Sequence, residues 1–117
     1  MNMVEKKGNR TNNRSVFIVD GSRTPFIRAR GVPGPFAAAD LAVQAARPLL
    51  ARQDFSPELF DEVILGCIMS SPDEVNIARV VGLRLGCGEQ VPAWTVQRNC
   101  GSGMQSIDSG ARNILWS

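Results

Sequence analysis

Cys100 is the residue of this chain best placed to do chemistry, because of the residues around it. It stands in Arg98-Asn99-Cys100-Gly101-Ser102-Gly103, between the apolar run ending at Val96 and a stretch of helical periodicity beginning at Met104. A strand-to-helix turn of this kind in a parallel sheet lies at the carboxyl end of the strands, where α/β folds collect their ligands. The unpaired amides of a first helical turn, with the positive end of the helix dipole, favour negative charge there. A thiol at that point is favoured as thiolate, the nucleophilic form. Gly101 and Gly103 remove side chains from the turn, so a substrate carbonyl can approach the sulfur and a backbone amide can receive the developing oxyanion. A structural cysteine in a tight turn accounts for the same residues equally well.

The same glycines support a rival chemistry. Gly101-Ser102-Gly103 is half of a dinucleotide-binding fingerprint, which would make the chain a nucleotide-binding α/β module. Against it, position 106 is Ser106 rather than the third glycine. The fingerprint also follows the first strand of its unit, with an acidic residue about twenty positions on. A serine nucleophile elbow, Gly-x-Ser-x-Gly, is absent.

The chain contains no histidine. That excludes a Cys2His2 zinc finger, a Ser-His-Asp triad and a self-contained Cys-His hydrolase or transferase. A proton acceptor for Cys100 is then a residue of another type or belongs to another chain. Cys67, Cys87 and Cys100 are odd in number and too far apart for a CxxC pair. They fit neither a disulfide framework nor a metal site, so no metal is expected, and Cys67 and Cys87 read as small buried hydrophobes. The reading is of a reducing, cytoplasmic compartment, with mitochondrial or peroxisomal placement still open.

Composition narrows the class further. The 117 residues are 44% hydrophobic and 21% charged, values of a globular rather than a disordered chain. Lys6, Lys7, Arg10 and Arg14 against Glu5 make the start of the chain basic, and the rest of the chain is close to neutral. A nucleic-acid groove is therefore not expected, and no apolar run is long enough to span a membrane. Residues 1–14 read as a disordered polar tail and residues 15–117 as a single partial domain.

The elements that would position Cys100 emerge from periodicity. Val16-Phe17-Ile18-Val19 reads as a strand buried on both faces, leading into a Gly- and Pro-rich loop over 21–36. A helix is predicted over about 37–52, apolar at Leu41, Ala45 and Leu49, with Pro48 expected to kink or shorten it. Ser56-Pro57-Glu58 opens a short turn. Val63-Ile64-Leu65 is a second strand ended by Gly66. Ser71 with Glu74 has the spacing of a capping box for a helix carrying Ile77, Val80, Val81 and Leu85 and stopped at Gly86. Residues 92–97 form the third strand. The helix after Cys100 presents Met104, Ile107, Ala111, Ile114 and Leu115. The fold class is therefore α/β, three parallel strands alternating with helices in an incomplete sheet, marginal by itself and expected to be the first part of something longer.

Four segments in order resemble the N-terminal part of the thiolase family of acyl-CoA acyltransferases. They are Val19-Asp20-Gly21-Ser22-Arg23-Thr24-Pro25-Phe26, Asp61-Glu62-Val63-Ile64-Leu65-Gly66, Asn76-Ile77-Ala78-Arg79, and the run from Val96 to Gln105 around Cys100. The resemblance implies a thiolase-like N-terminal half-domain and acyl transfer through a cysteine thioester, as 3-ketoacyl-CoA thiolysis or Claisen condensation. It implies Cys100 as acyl carrier, its amide contributing to an oxyanion hole, with Gly101, Ser102, Gly103, Met104 and Asn76 near the substrate. The family's histidine base, second cysteine and most contacts to coenzyme A lie in segments not matched here, so this chain alone is expected to be inactive. Acyl-CoA and CoA are implied as substrates, with no further cofactor. Arg23 and Thr24 would fix the loop after the first strand, and Asn76 and Arg79 the wall and subunit interface near the cysteine. Family members are dimers or tetramers that pair through the strand corresponding to 93–97, where Trp94 is either part of the contact or a core residue. A non-catalytic remnant, or a module that only pairs through this edge strand, is the alternative.

Overall fold

The computed structural model describes residues 14–117. The elements are helix α1 (Ala38–Ala51), strand β1 (Val63–Gly66), helix α2 (Ile77–Arg84), strand β2 (Ala93–Val96) and helix α3 (Ser102–Trp116), with 3₁₀ turns at Pro57–Leu59 and Pro72–Glu74. β1 and β2 are parallel, with Val63 opposite Ala93 and Gly66 opposite Val96. Alternation along the strands sends Val63 and Leu65 to one face and Ile64 and Gly66 to the other. On the first face Gly82 of α2 lies over Val63 and Ala93, and Leu65 packs on the cluster of Ala39, Val43, Ile77 and Val81 from α1 and α2. On the second face α3 lies directly on the sheet, with Gly110 over Ile64.

The expected first strand is not formed. Phe17, Ile18 and Val19 are 78%, 83% and 83% exposed, and among the described residues the sheet has two strands rather than three. An apolar run supplies strand propensity, but a strand is completed only by hydrogen bonds to an edge. Here the segment is held at its end instead, where Asp20 receives Nη2 of Arg52 at 3.0 Å and Nε2 of Gln53 at 2.7 Å. That tie, rather than Arg23 or Thr24, fixes the following loop to the body. Arg23 only reaches the adjacent carbonyl of Thr24, at 3.3 Å. The expected tail lies outside the described residues except for Arg14, whose guanidinium reaches the Ile114 carbonyl and the Ser117 hydroxyl at the end of α3.

Three local expectations are also corrected. α1 buries Ala39 and Val43 and leaves Leu41 40% exposed. The α2 positions clustered with Ala39 and Val43 are Ile77 and Val81, so α1 turns its small side chains, rather than Leu41, toward α2. Pro48 does not end α1, which continues to Ala51. The carbonyl it leaves unpaired is that of Gln44 on the exposed side, where water can serve it. The Ser71–Glu74 capping box does not form. Ser71 offers its carbonyl to the Glu74 amide at 3.0 Å, while the buried Glu74 carboxylate accepts the Ala39 amide at 3.2 Å, in the first turn of α1. The cap of α2 is Asn76. Gly86, at φ +83°, ends the α2 segment in the left-handed conformation as expected.

The expected face of α3 is only partly buried, with Ala111 and Leu115 half-buried. Met104, Ile107 and Ile114 are 71%, 53% and 49% exposed, and the buried residue is Ser102. The reason is Gly66. A side-chain carbon there would meet the Ser102 carbonyl and come within 2.6 Å of the Gly103 amide. The start of α3 thus presses its backbone on the end of β1, and only small residues can occupy that contact.

Two outcomes are expected. Gly66→Ala forces α3 off the sheet and destabilises the chain by about 1–3 kcal/mol, an overpacking cost. A urea midpoint equal to that of the parent would refute the contact. Asp20 is held below the ordinary carboxylate range, first by the Arg52 hydrogen bond and then by the Gly21 amide. The tie is therefore complete above the ordinary aspartate range and is lost as pH falls through the lowered value. In a carboxyl-carbon NMR titration, Arg52→Ala should raise the Asp20 midpoint, and an unmoved midpoint would count against the tie.

Candidate active site

β2 delivers the chain to the turn and α3 carries it away, so Cys100 lies at the carboxyl end of the sheet. Two overlapping turns make the change of direction. The Gly101 amide donates to the Arg98 carbonyl at 3.0 Å and the Ser102 amide to the Asn99 carbonyl at 3.2 Å. Asn99 takes φ +47°, a left-handed conformation that asparagine tolerates better than most residues, and its amide donates to Oε1 of Gln97 at 2.9 Å. Ser102 closes the turn from inside. Its hydroxyl accepts the Arg98 amide at 2.9 Å and donates to the Asn99 carbonyl at 2.7 Å.

Cys100 is exposed. Its amide donates to no backbone carbonyl among the described residues. A side chain at Gly101 would lie 3.4 Å from the Arg98 carbonyl, whereas the space beside Gly103 is open. The two glycines thus leave the approach to the sulfur clear, and the Cys100 amide, which donates to no backbone carbonyl among the described residues, stands in the same turn. An acceptor placed between them would meet a sulfur nucleophile and a hydrogen-bond donor together. Cys67 is half-buried against the core and Cys87 is buried, with burial pushing the Cys87 thiol up.

The turn also has a polar flank, which motif and periodicity alone do not single out. Arg98 donates to Oε1 of Gln105 at 2.6 Å, and Gln105 donates to Asp108 at 3.3 Å and to the Ser109 hydroxyl at 3.1 Å. Asp108 pairs with Arg112 at 2.9 Å, one helical turn on. Arg98, Gln105, Asp108 and Arg112, with Gly101 and the exposed Met104, line a shallow groove beside the Cys100 turn. The signal was in the sequence, since Gln105, Asp108 and Arg112 are three and four apart on a predicted helix.

Asn76 is placed differently from the glycines and Met104. It donates to the Ala93 carbonyl at 3.0 Å and accepts from the Thr95 hydroxyl at 2.9 Å and the Arg79 amide at 3.4 Å. Arg79 in turn reaches the carbonyls of Val91 and Glu89. Both residues join α2 to β2 and the loop before it, and neither bonds to the Cys100 turn. Trp94 is half-buried and donates to Glu62, whose other oxygen accepts Asn113 of α3 at 2.7 Å. Among the described residues no cluster of three or more metal-ligating side chains occurs, and no helix is long and apolar enough to cross a membrane.

This arrangement has counterparts in known proteins. Residues 16–116 match the family model of the thiolase N-terminal domain. The mitochondrial 3-ketoacyl-CoA thiolase of Bos taurus is 47% identical over 102 residues, covering 86% of this chain and 26% of that protein. The crystal structure of human mitochondrial 3-ketoacyl-CoA thiolase in complex with CoA superposes with a TM-score of 0.64 at 45% identity, over 69% of this chain and 21% of that one. The acetyl-CoA acetyltransferase of Bacillus anthracis superposes at 0.61 with 40% identity, over 66% and 20%. The chain thus spans about a quarter of the length of the bovine relative. With strand, turn and helix in the same order and close to half the residues identical to the bovine protein, the chain belongs to the thiolase family, matching its N-terminal domain.

Proposed function

We propose that Cys100 is the acyl-accepting nucleophile of a thiolase-type acyltransferase whose substrates are acyl-CoA and CoA. The observation that carries this reading is the exposed thiol at the β2–α3 turn beside an amide without a backbone partner. The thiolate sulfur attacks the thioester carbonyl and the Cys100 amide steadies the resulting oxyanion. Attack forms the carbon–sulfur bond to Cys100, and collapse of the oxyanion then breaks the bond to CoA, which leaves as thiolate and is protonated from solvent, where the Cys100 proton went on ionisation. Gly101 and Gly103 keep the approach open, and Met104 borders it. No cofactor beyond the CoA thioester enters this reaction. The names of the relatives, 3-ketoacyl-CoA thiolase and acetyl-CoA acetyltransferase, support thioesters of 3-keto and short acyl groups as the substrate class. The bovine relative's name adds a mitochondrial setting to the reducing, cytoplasmic one read from the cysteines.

The 117 residues hold no histidine to move the proton between sulfurs. Loss of a positioned acid or base costs about 10²–10⁴-fold in rate, so this chain by itself acylates without sustained turnover. Pairing with a second subunit runs through β2, whose outer edge is unpaired among the described residues. That free edge also favours a second reading, in which the chain acts only by pairing with an intact thiolase subunit.

Incubation with acetyl-CoA should add one acetyl group, located by peptide mass spectrometry on Cys100 and missing from Cys100→Ala. An adduct on Cys67, or one that survives Cys100→Ala, overturns the assignment. Steady-state thiolysis should stay at least about 10²-fold below that of an intact family member. Turnover at the intact rate would refute the dependence on a base outside these residues. Co-purification with an intact thiolase regardless of Cys100→Ala, with no adduct formed, would establish the pairing reading instead.

A further inference from the structure

We propose that Ser102 is the positioning residue of the Cys100 turn, acting on the sulfur through the backbone on either side of it. The inference rests on the reading of Cys100 as nucleophile. Ser102 is 5% exposed, a polar side chain with no route to a substrate. Both hydrogen-bonding functions of its hydroxyl are used within the turn, one on the Arg98 amide and one on the Asn99 carbonyl. These groups lie before Cys100 in the chain and Ser102 lies after it, so the hydroxyl closes a ring around the cysteine. Its acceptance of the Arg98 amide and donation to the Asn99 carbonyl hold Asn99 at its positive φ. The carbonyl it engages also receives the Ser102 amide, so one peptide group is fixed from two directions.

The ring is itself anchored. The Ser102 carbonyl and the Gly103 amide lie against Gly66 at the end of β1, so closely that no side chain fits between. A shift of Ser102 toward the sheet is therefore blocked by backbone. The hydroxyl ties the near side of the turn to this fixed point, and the direction of the Cys100 side chain is set by it. Alanine at 102 keeps the small volume the contact needs but leaves the part-buried Arg98 amide without its partner. The turn then has a reason to rearrange, and a displacement on the order of 1 Å is enough to misdirect a reacting group.

Alkylation of the 117-residue chain by iodoacetamide separates this role from a merely structural one, with Cys67 as reference in the same molecule. Ser102→Ala is expected to slow Cys100 about tenfold at neutral pH while Cys67 keeps its rate and circular dichroism is unchanged. Ser102→Thr, which retains the hydroxyl, should restore Cys100 to within about threefold. A purely structural role gives a different pattern, since loosening the fold speeds the half-buried Cys67 and the buried Cys87 and leaves the already exposed Cys100 near its parent rate. An unchanged Cys100 rate in a folded Ser102→Ala protein overturns the proposal. If Ser102→Ala does not fold, Ser102→Thr decides: a parent-like rate supports the ring, and a tenfold loss in a folded protein overturns it. Failure of the parent chain to take an acetyl group from acetyl-CoA would count against the nucleophile reading alone, because the alkylation comparison does not depend on acyl transfer.

Discussion

The contact between Gly66 and the start of α3 is the constraint on which the rest of the structure depends. Two backbones meet there with no side chain between them, a strand end on one side and a helix start on the other. From that point the turn preceding α3 has little freedom, because its exit is fixed against the sheet and its entry is the end of β2, paired to β1. Cys100 sits in the middle of this short, doubly anchored piece of chain. A carbonyl, an amide and a missing side chain therefore determine where the thiol stands.

The other face of the sheet is held by polar joints more than by apolar mass. Ile77 is the one large side chain that is essentially fully buried among the described residues, and the surrounding cluster is built mainly of alanine and valine. Asn76 and Thr95 link α2 to β2, Glu74 supplies an acceptor to the first turn of α1, and Arg79 gathers the carbonyls before β2. Each bond stabilises by about 1 kcal/mol, but losing one partner in a buried pair costs more than making the bond gains. A thin core joined this way specifies geometry well while contributing little excess stability. Much apolar surface stays in water, including Phe17 to Val19 and the outer stripe of α3.

A good part of this organisation was legible in the residues. β1, β2, the short turn at Pro57 and the stop at Gly86 were read from local patterns, because each depends on neighbours in sequence. The turn at Cys100 was legible for the same reason: glycines, asparagine and a helix start are local signals. The failures share a cause. Val16–Val19 had the composition of a strand, the stripe beginning at Leu41 that of a buried face, and Ser71 with Glu74 the spacing of a cap. Each of these needs a partner distant in sequence to decide the outcome, and each found a different one or none.

The sequence by itself determined that the chain is α/β, that a cysteine stands where a strand turns into a helix, and that none of these 117 residues is a histidine. It also carried the family, since the matching segments are short runs whose identity needs no structure. Only the tertiary structure decided that the start of α3 lies backbone to backbone on the sheet, because the steric demand comes from Gly66, far earlier in the chain. It likewise decided that Glu74 caps a helix other than its own and that Asn76 braces the sheet. Composition and periodicity report what a residue can do with its near neighbours, whereas close backbone approach and buried hydrogen bonds are settled by what the fold brings against it.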